Sequence, residues 1–321
     1  FAEQTLYKLW DIEPGTRRCH VLAHIISSTA TRQNPEKWRE YLETVDYNAC
    51  EVGFPHGVME AHIGDDPSFE INSDSINQFC SSKDRHKKNS CVHYFGHLLM
   101  IQSEGDINPA LDRCDGVKGG FVEGELAERC YDGVFMEDSN PLALVEHGIR
   151  PKMPDRRSPE YIKEREEVCS NFKDDRATAC WQNLGGSYKV FYDNPQQVYD
   201  ACLKAPEQEQ KTACVLRSAI AFALDPKFSS FDKLISICEP AIDTDLYKNC
   251  TGKILSGLVN TSIKFTERGL LLCQNIPENR DWCVGLLGKL LSEAVTSPKE
   301  RLSLCQSAKS EEYKNLCARV N

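Results

Sequence analysis

The chain has 321 residues with 38 Lys and Arg against 48 Asp and Glu, a formal charge of −10, and its one short basic cluster is KDRHKK around His86. That balance disfavours a phosphate-backbone partner, so no nucleic acid is expected. No apolar run approaches the roughly 20 residues needed to cross a bilayer, and the absence of any C-x2-C pair among sixteen cysteines argues against zinc-finger or iron–sulfur spacing.

The cysteines instead set a rhythm of stapled helices. A first helix is expected to follow Cys19 in CHVLAH, a second to cover 35–46 around WREYLETV, and a third to follow Cys50 in CEVGFPHGVME. Next come a helix over 69–80 ending at Cys80, a helix after Cys91 in CVHYFGH, a helix over 107–117 ending near Cys114, and a helix after Cys130 in CYDGVFME. Residues 139–161 carry four prolines and mixed charge, which marks a linker or a lid. Behind it the doublets Cys169/Cys180, Cys202/Cys214, Cys238/Cys250, Cys273/Cys283 and Cys305/Cys317 repeat one pattern.

In QQVYDACLKAPEQEQKTACVLRSAIAFAL one apolar-periodic segment ends at Cys202, a polar turn follows, and a second begins near Cys214. This is a helical hairpin with both cysteines beside the turn, where antiparallel helices come within disulfide range. The second cysteines recur every 33 to 36 residues, the period of helix-turn-helix repeats. The expected fold is therefore all-α, a right-handed α-solenoid of disulfide-stapled hairpins. Its layout resembles tetratricopeptide and Sel1-like arrays, without the W-x2-L-G consensus.

The helix around WREYLETV has no cysteine, which leaves Cys19 and Cys50 to pair with each other and brings the expected number of disulfides to eight. Bridges at that density imply an oxidising, extracytoplasmic compartment, periplasmic, cell-surface or secreted, hyperthermophile cytosols being the known exception. The chain starts at Phe1 rather than Met, so a processed N-terminus is expected and an upstream signal or anchor stays open.

All eight histidines lie at or before His147, although the later repeats keep the same staples. Histidine is thus not needed for the fold and calls for another explanation. Three ligand-type pairs stand four residues apart after the B-type cysteines: His20 and His24, His56 and Glu60, His93 and His97. A fourth helix offers Glu137. On a helix such pairs share a face roughly 6 Å apart, and helices packed roughly 8 to 10 Å apart bring several pairs to one centre. Gly53, Gly57, Gly96 and Gly133 on these helices point to close backbone approach or room for a ligand. The strategy is similar to that of deoxyhypusine hydroxylase, where helical hairpins present His and Glu pairs around two irons; the adjacent His-Glu dipeptides of that family are absent here.

His20, His24, His56, Glu60, His93, His97 and Glu137 are accordingly the expected metal ligands, with Glu60 or Glu137 as ligand or general base. The donor set suits one or two ions of zinc, iron or copper rather than calcium or magnesium. If the site is catalytic, a metal-dependent hydrolase or oxidoreductase follows. The alternative is a non-catalytic secreted or surface scaffold with a structural metal or none, binding a protein partner through its C-terminal repeats. On either reading the array divides into a His-rich front (1–138), the segment 139–161, and His-free repeats (162–321).

His62, His86 and His147 read as ordinary core or surface histidines. The cysteines beside the histidines read as staples, not thiolate ligands, by analogy with the rear repeats. Asp65, Asp66, Glu123 and Asp132 default to solvated surface, with any of them able to orient a histidine. Nucleophile-elbow, P-loop, dinucleotide and H-E-x-x-H signatures are absent. The Asn249 and Asn260 sequons are short enough to arise by chance.

Overall fold

The computed structural model describes residues 5, 17–44, 50, 53–64, 69–81, 85–118, 125–139, 158–228, 230–241, 246–261, 263–276, 280–295 and 297–318. Among these the chain is all helical, with seventeen α-helices packed in neighbouring pairs and no strand. In order they are α1 (Arg17–Gln33), α2 (Trp38–Thr44), α3 (Gly53–Met59), α4 (Ser73–Phe79), α5 (Arg85–Gln102), α6 (Ile107–Cys114), α7 (Glu125–Ser139), α8 (Pro159–Asn171) and α9 (Asp174–Phe191). There follow α10 (Pro195–Cys202), α11 (Gln208–Leu224), α12 (Phe231–Ser236), α13 (Leu246–Thr261), α14 (Thr266–Asn275), α15 (Arg280–Ala294), α16 (Pro298–Leu304) and α17 (Glu311–Ala318). No helix among the described residues is long and apolar enough to cross a membrane.

Local sequence explains where these helices start. Asn72 caps α4 by accepting from the Ser75 amide through Oδ1, while its own amide donates to Ser75 Oγ, a full capping box. Ser158 and Ser297 cap α8 and α16, each followed by proline at the first helical position, where the missing N–H costs nothing. Gly105 takes a positive φ of 76° after α5 and its amide reaches back to the Met100 carbonyl, ending that helix.

Disulfides then tie each short helix to the next long one. Cys80–Cys91, Cys114–Cys130, Cys169–Cys180, Cys238–Cys250, Cys273–Cys283 and Cys305–Cys317 span 10 to 16 residues with Cα atoms 5.2 to 5.9 Å apart. Cys19 and Cys50 pair with each other across 31 residues, as the phase of the repeat requires. Cys202 and Cys214 are also disulfide-bonded, and no free cysteine remains. Eight bridges fit an oxidising, extracytoplasmic environment.

Two compact units form, one of residues 1–191 with 203–214, the other of 192–202 with 215–321. Residues 140–157, most of the segment read as a linker or lid, lie outside the described residues. The second unit contains no histidine; its core is aliphatic, with Leu255, Leu258, Leu270, Leu287 and Leu291 fully buried beside the three staples of α13 to α17.

In the first unit, α1 packs on α3 and α5 on α7 with backbone against backbone. A methyl group at Gly53 or Gly57 would collide with the carbonyl oxygen of His20 or His24, and one at Gly96 or Gly133 with that of Cys130 or His93. Of the two explanations for these glycines, close backbone approach is the one observed. Phe54, Val58, Ala23 and the Cys19–Cys50 bridge close the core on one side of α1 and α3, with Trp38 of α2 packed against it.

Candidate functional site

Glycine packing at the level of the histidines brings their rings together. His20 and His24 come from α1, His56 from α3, His93 and His97 from α5, and Asp132 and Glu137 from α7. Glu60 opens a π-helical turn, Glu60–Gly64, that follows α3 directly. Turns of that kind recur at functional sites because they re-aim one side chain relative to the helix before it. All these groups lie in the first unit, and Glu60 and Glu137 are 0% and 1% exposed. Burying so many ionisable groups is costly unless they are paired or share an ion.

The α5–α7 pair has the clearest geometry. His97 Nδ1 lies 2.8 Å from Glu137 Oε2, and His93 Nδ1 lies 3.1 Å from Asp132 Oδ2. A carboxylate accepts, so both Nδ1 atoms carry hydrogen, and in the neutral rings both Nε2 atoms present lone pairs. Those two Nε2 atoms are 3.2 Å apart. Asp132 is itself held: Gln182 Nε2 and Asn183 Nδ2 of α9 donate to its Oδ1 at 2.9 and 2.8 Å.

His56 occupies the middle of the cluster. Its ring centroid is 5.5 Å from that of His97, 6.0 Å from His93 and 5.2 Å from His20. Tyr94 stacks on it at 4.6 Å. His56 Nε2 is buried and has no hydrogen-bond partner among the described residues. Burial first, then the four surrounding histidines, hold the His56 pKa well below the usual imidazole value. Burial also lowers that of His93, against an opposing pull from Asp132.

On the α1–α3 side, His24 Nε2 lies 2.8 Å from Glu60 Oε2. The Tyr94 hydroxyl donates to the same oxygen at 3.4 Å, and the His20 ring stands 6.5 Å from that of His24.

All seven residues expected as ligands therefore meet in one buried cluster. Among the described residues no three His, Cys, Asp or Glu side chains are gathered about a single point as a metal would require; the donors pair off in hydrogen bonds instead. A small cavity is lined by Phe135, Asp138, Tyr161, Arg165, Asn183 and Leu184, and no histidine borders it. His62 stacks on Trp38 at 4.3 Å, a packing role. His86 lies on α5, its side chain outside the described residues, and Asp65, Asp66, Glu123 and His147 also lie outside them.

Sequence reasoning left Asp132 as one of four acidic candidates and passed over Tyr94, Gln182 and Asn183. A signal for the last two existed. Gln182 stands two residues after Cys180, the offset of His93 from Cys91 and of Asp132 from Cys130. Equivalent positions on successive stapled helices face the same way, so polar residues there belong to one network.

No protein-family model, curated protein or solved structure matches the chain.

Proposed function

We propose that the first unit binds a divalent transition metal, zinc, iron or copper, through His56, His93 and His97, and that the ion serves a hydrolytic or oxidative reaction. The observation that carries this reading is the 3.2 Å approach of His93 Nε2 to His97 Nε2 while Asp132 and Glu137 take both Nδ1 hydrogens. Two lone pairs facing each other repel unless a cation lies between them. Nitrogens on one tetrahedral ion with bonds of about 2.0–2.1 Å stand roughly 3.3 Å apart.

The ring spacing supports His56 as the third ligand. Imidazoles on one tetrahedral ion have centroids roughly 5.2 Å apart, against 5.0, 5.5 and 6.0 Å within this trio. Three histidines leave a fourth position for water or substrate, the pattern of catalytic rather than structural sites. A metal so held would activate water or bind dioxygen. Asp132 and Glu137 would orient His93 and His97 and raise their basicity. Glu60, on the turn after His56, is held through its Oε2 by His24 and Tyr94. Glu137, expected from the sequence as a ligand or base, is here an orienting group, because its Oε2 is engaged by His97 Nδ1.

The stapled pairs and their 33 to 36 residue recurrence support a right-handed α-solenoid as the frame. A second reading, a disulfide-bonded scaffold without metal, is favoured by the His–carboxylate hydrogen bonds, which engage these side chains with one another instead of about a single point among the described residues. Elemental analysis of the full chain from an oxidising compartment separates the two. Metal in the wild type that is lost in a folded His56→Ala, His93→Ala variant supports the centre, and metal-free wild type overturns it.

A further inference from the structure

Arg129 stands on α7 three residues before Asp132 and four before Gly133, so the three share one face of the helix. That face meets α5: Asp132 reaches His93 Nδ1 at 3.1 Å, and Gly133 lies against the His93 carbonyl. A cation is thereby set beside the histidine cluster. Burial comes first in lowering the His93 pKa, and the charge of Arg129 adds to it.

The carboxylates of the cluster have other partners. Asp132, the acid that helix spacing offers to Arg129, is engaged at both oxygens, Oδ2 by His93 and Oδ1 by Gln182 and Asn183. Glu137 Oε2 is taken by His97. Arg129 Nε is buried and has no hydrogen-bond partner among the described residues, and a buried N–H left without an acceptor is costly. Solvent reaches the cluster at this same edge. The His93 and Asp132 side chains are 13% and 10% exposed, against 7% and 0% for His24 and Glu60, and Arg129 is itself partly exposed.

We propose that Arg129 binds an anionic group of the substrate, a carboxylate or a phosphate, and holds it at the His93 edge of the cluster; this names the substrate class for the site proposed above and rests on that reading. A guanidinium donates two parallel N–H groups to two oxygens of such a group. Nε and one terminal nitrogen form such a pair, and Nε is the atom that lacks an acceptor. In a chain of net charge −10, a cation at the opening draws an anion to this edge rather than elsewhere on the surface.

The test is a titration of the full-length protein with sodium phosphate and, separately, with sodium acetate, at one pH and at an ionic strength held constant with sodium chloride. The readout is the ring-nitrogen chemical shifts of His93, in protein as purified and after chelation, the metal content of each sample being measured. A saturable shift with either anion, its dissociation constant raised roughly tenfold or more by Arg129→Gln, is the expected result, and the anion that produces it tells a phosphate from a carboxylate. No saturable shift in the wild type, or equal affinity in Arg129→Gln, overturns the assignment. Metal content scores the other reading: metal retained without anion binding leaves the centre standing and sinks the anion site, whereas Arg129-dependent anion binding in a protein that never holds metal does the reverse. Should Arg129→Gln fail to fold, Arg129→Lys, which keeps the charge and loses the paired N–H groups, decides by a several-fold weakening.

Discussion

His93 and His97 face each other through Nε2 atoms 3.2 Å apart, each anchored at Nδ1 by a carboxylate of α7. The relationship depends on α9 as well, because Asp132 is oriented by amides from Gln182 and Asn183. A helix of the His-free repeats therefore serves the histidine cluster.

Replacing Asn183 by Ala should weaken metal binding by roughly 10–100-fold, the usual effect of removing an outer hydrogen-bond partner. Competition against a chelator of known affinity measures it. His93 should also lose its fixed tautomer, visible in the nitrogen chemical shifts of its ring with or without metal. Unchanged shifts and affinity would remove α9 from the site.

The glycines at the helix crossings should resist substitution. Gly57→Ala and Gly133→Ala place a methyl group against a carbonyl oxygen, with an expected loss of about 1–3 kcal/mol from overpacking. Gly285→Ala in α15 meets only Leu316 Cδ2's fellow methyl, Cδ1, at 4.0 Å, and should stabilise by up to about 1 kcal/mol through helix propensity. Thermal unfolding of the three variants tests the contrast.

Acid should destabilise the metal-free first unit. The His56 pKa is lowered on folding, so below the ordinary value of 6.5 the unfolded chain binds a proton that the folded one refuses. The contribution is complete above pH 6.5 and is lost as the pH falls below it. Denaturant midpoints of wild type and His56→Gln between pH 7.5 and 5 should diverge in slope, the variant falling less steeply.

Chelation and reduction should act on different parts of the chain. Removing metal should raise hydrogen exchange in α1, α3 and α5 and leave α13 to α17 unchanged, since the second unit has no histidine. Reduction should loosen both units. Loss of the Cys19–Cys50 bridge alone, closing a span of 31 residues, should cost about 4 kcal/mol by the loop-entropy relation. Exchange protection that collapses in α13 to α17 on chelation would contradict this division.

The amino-acid order was enough to establish the helices, their stapling and the confinement of histidine to one end of the chain. Cysteine spacing is a one-dimensional record of hairpin length, so every bridge could be phased from it, Cys19–Cys50 included. Pairs four residues apart share a helix face whatever surrounds them, and eight histidines confined to one end of a repetitive chain stand out against the repeats that lack them. Roles within the cluster belong to packing. Whether a carboxylate meets Nδ1 or Nε2 of a ring depends on helix rotation and crossing distance, which glycine contacts between helices set and no local pattern encodes. That is why Glu137 and Glu60, alike in the sequence, stand at opposite ring nitrogens of His97 and His24, and why Asn183, 51 residues from Asp132, holds it in place.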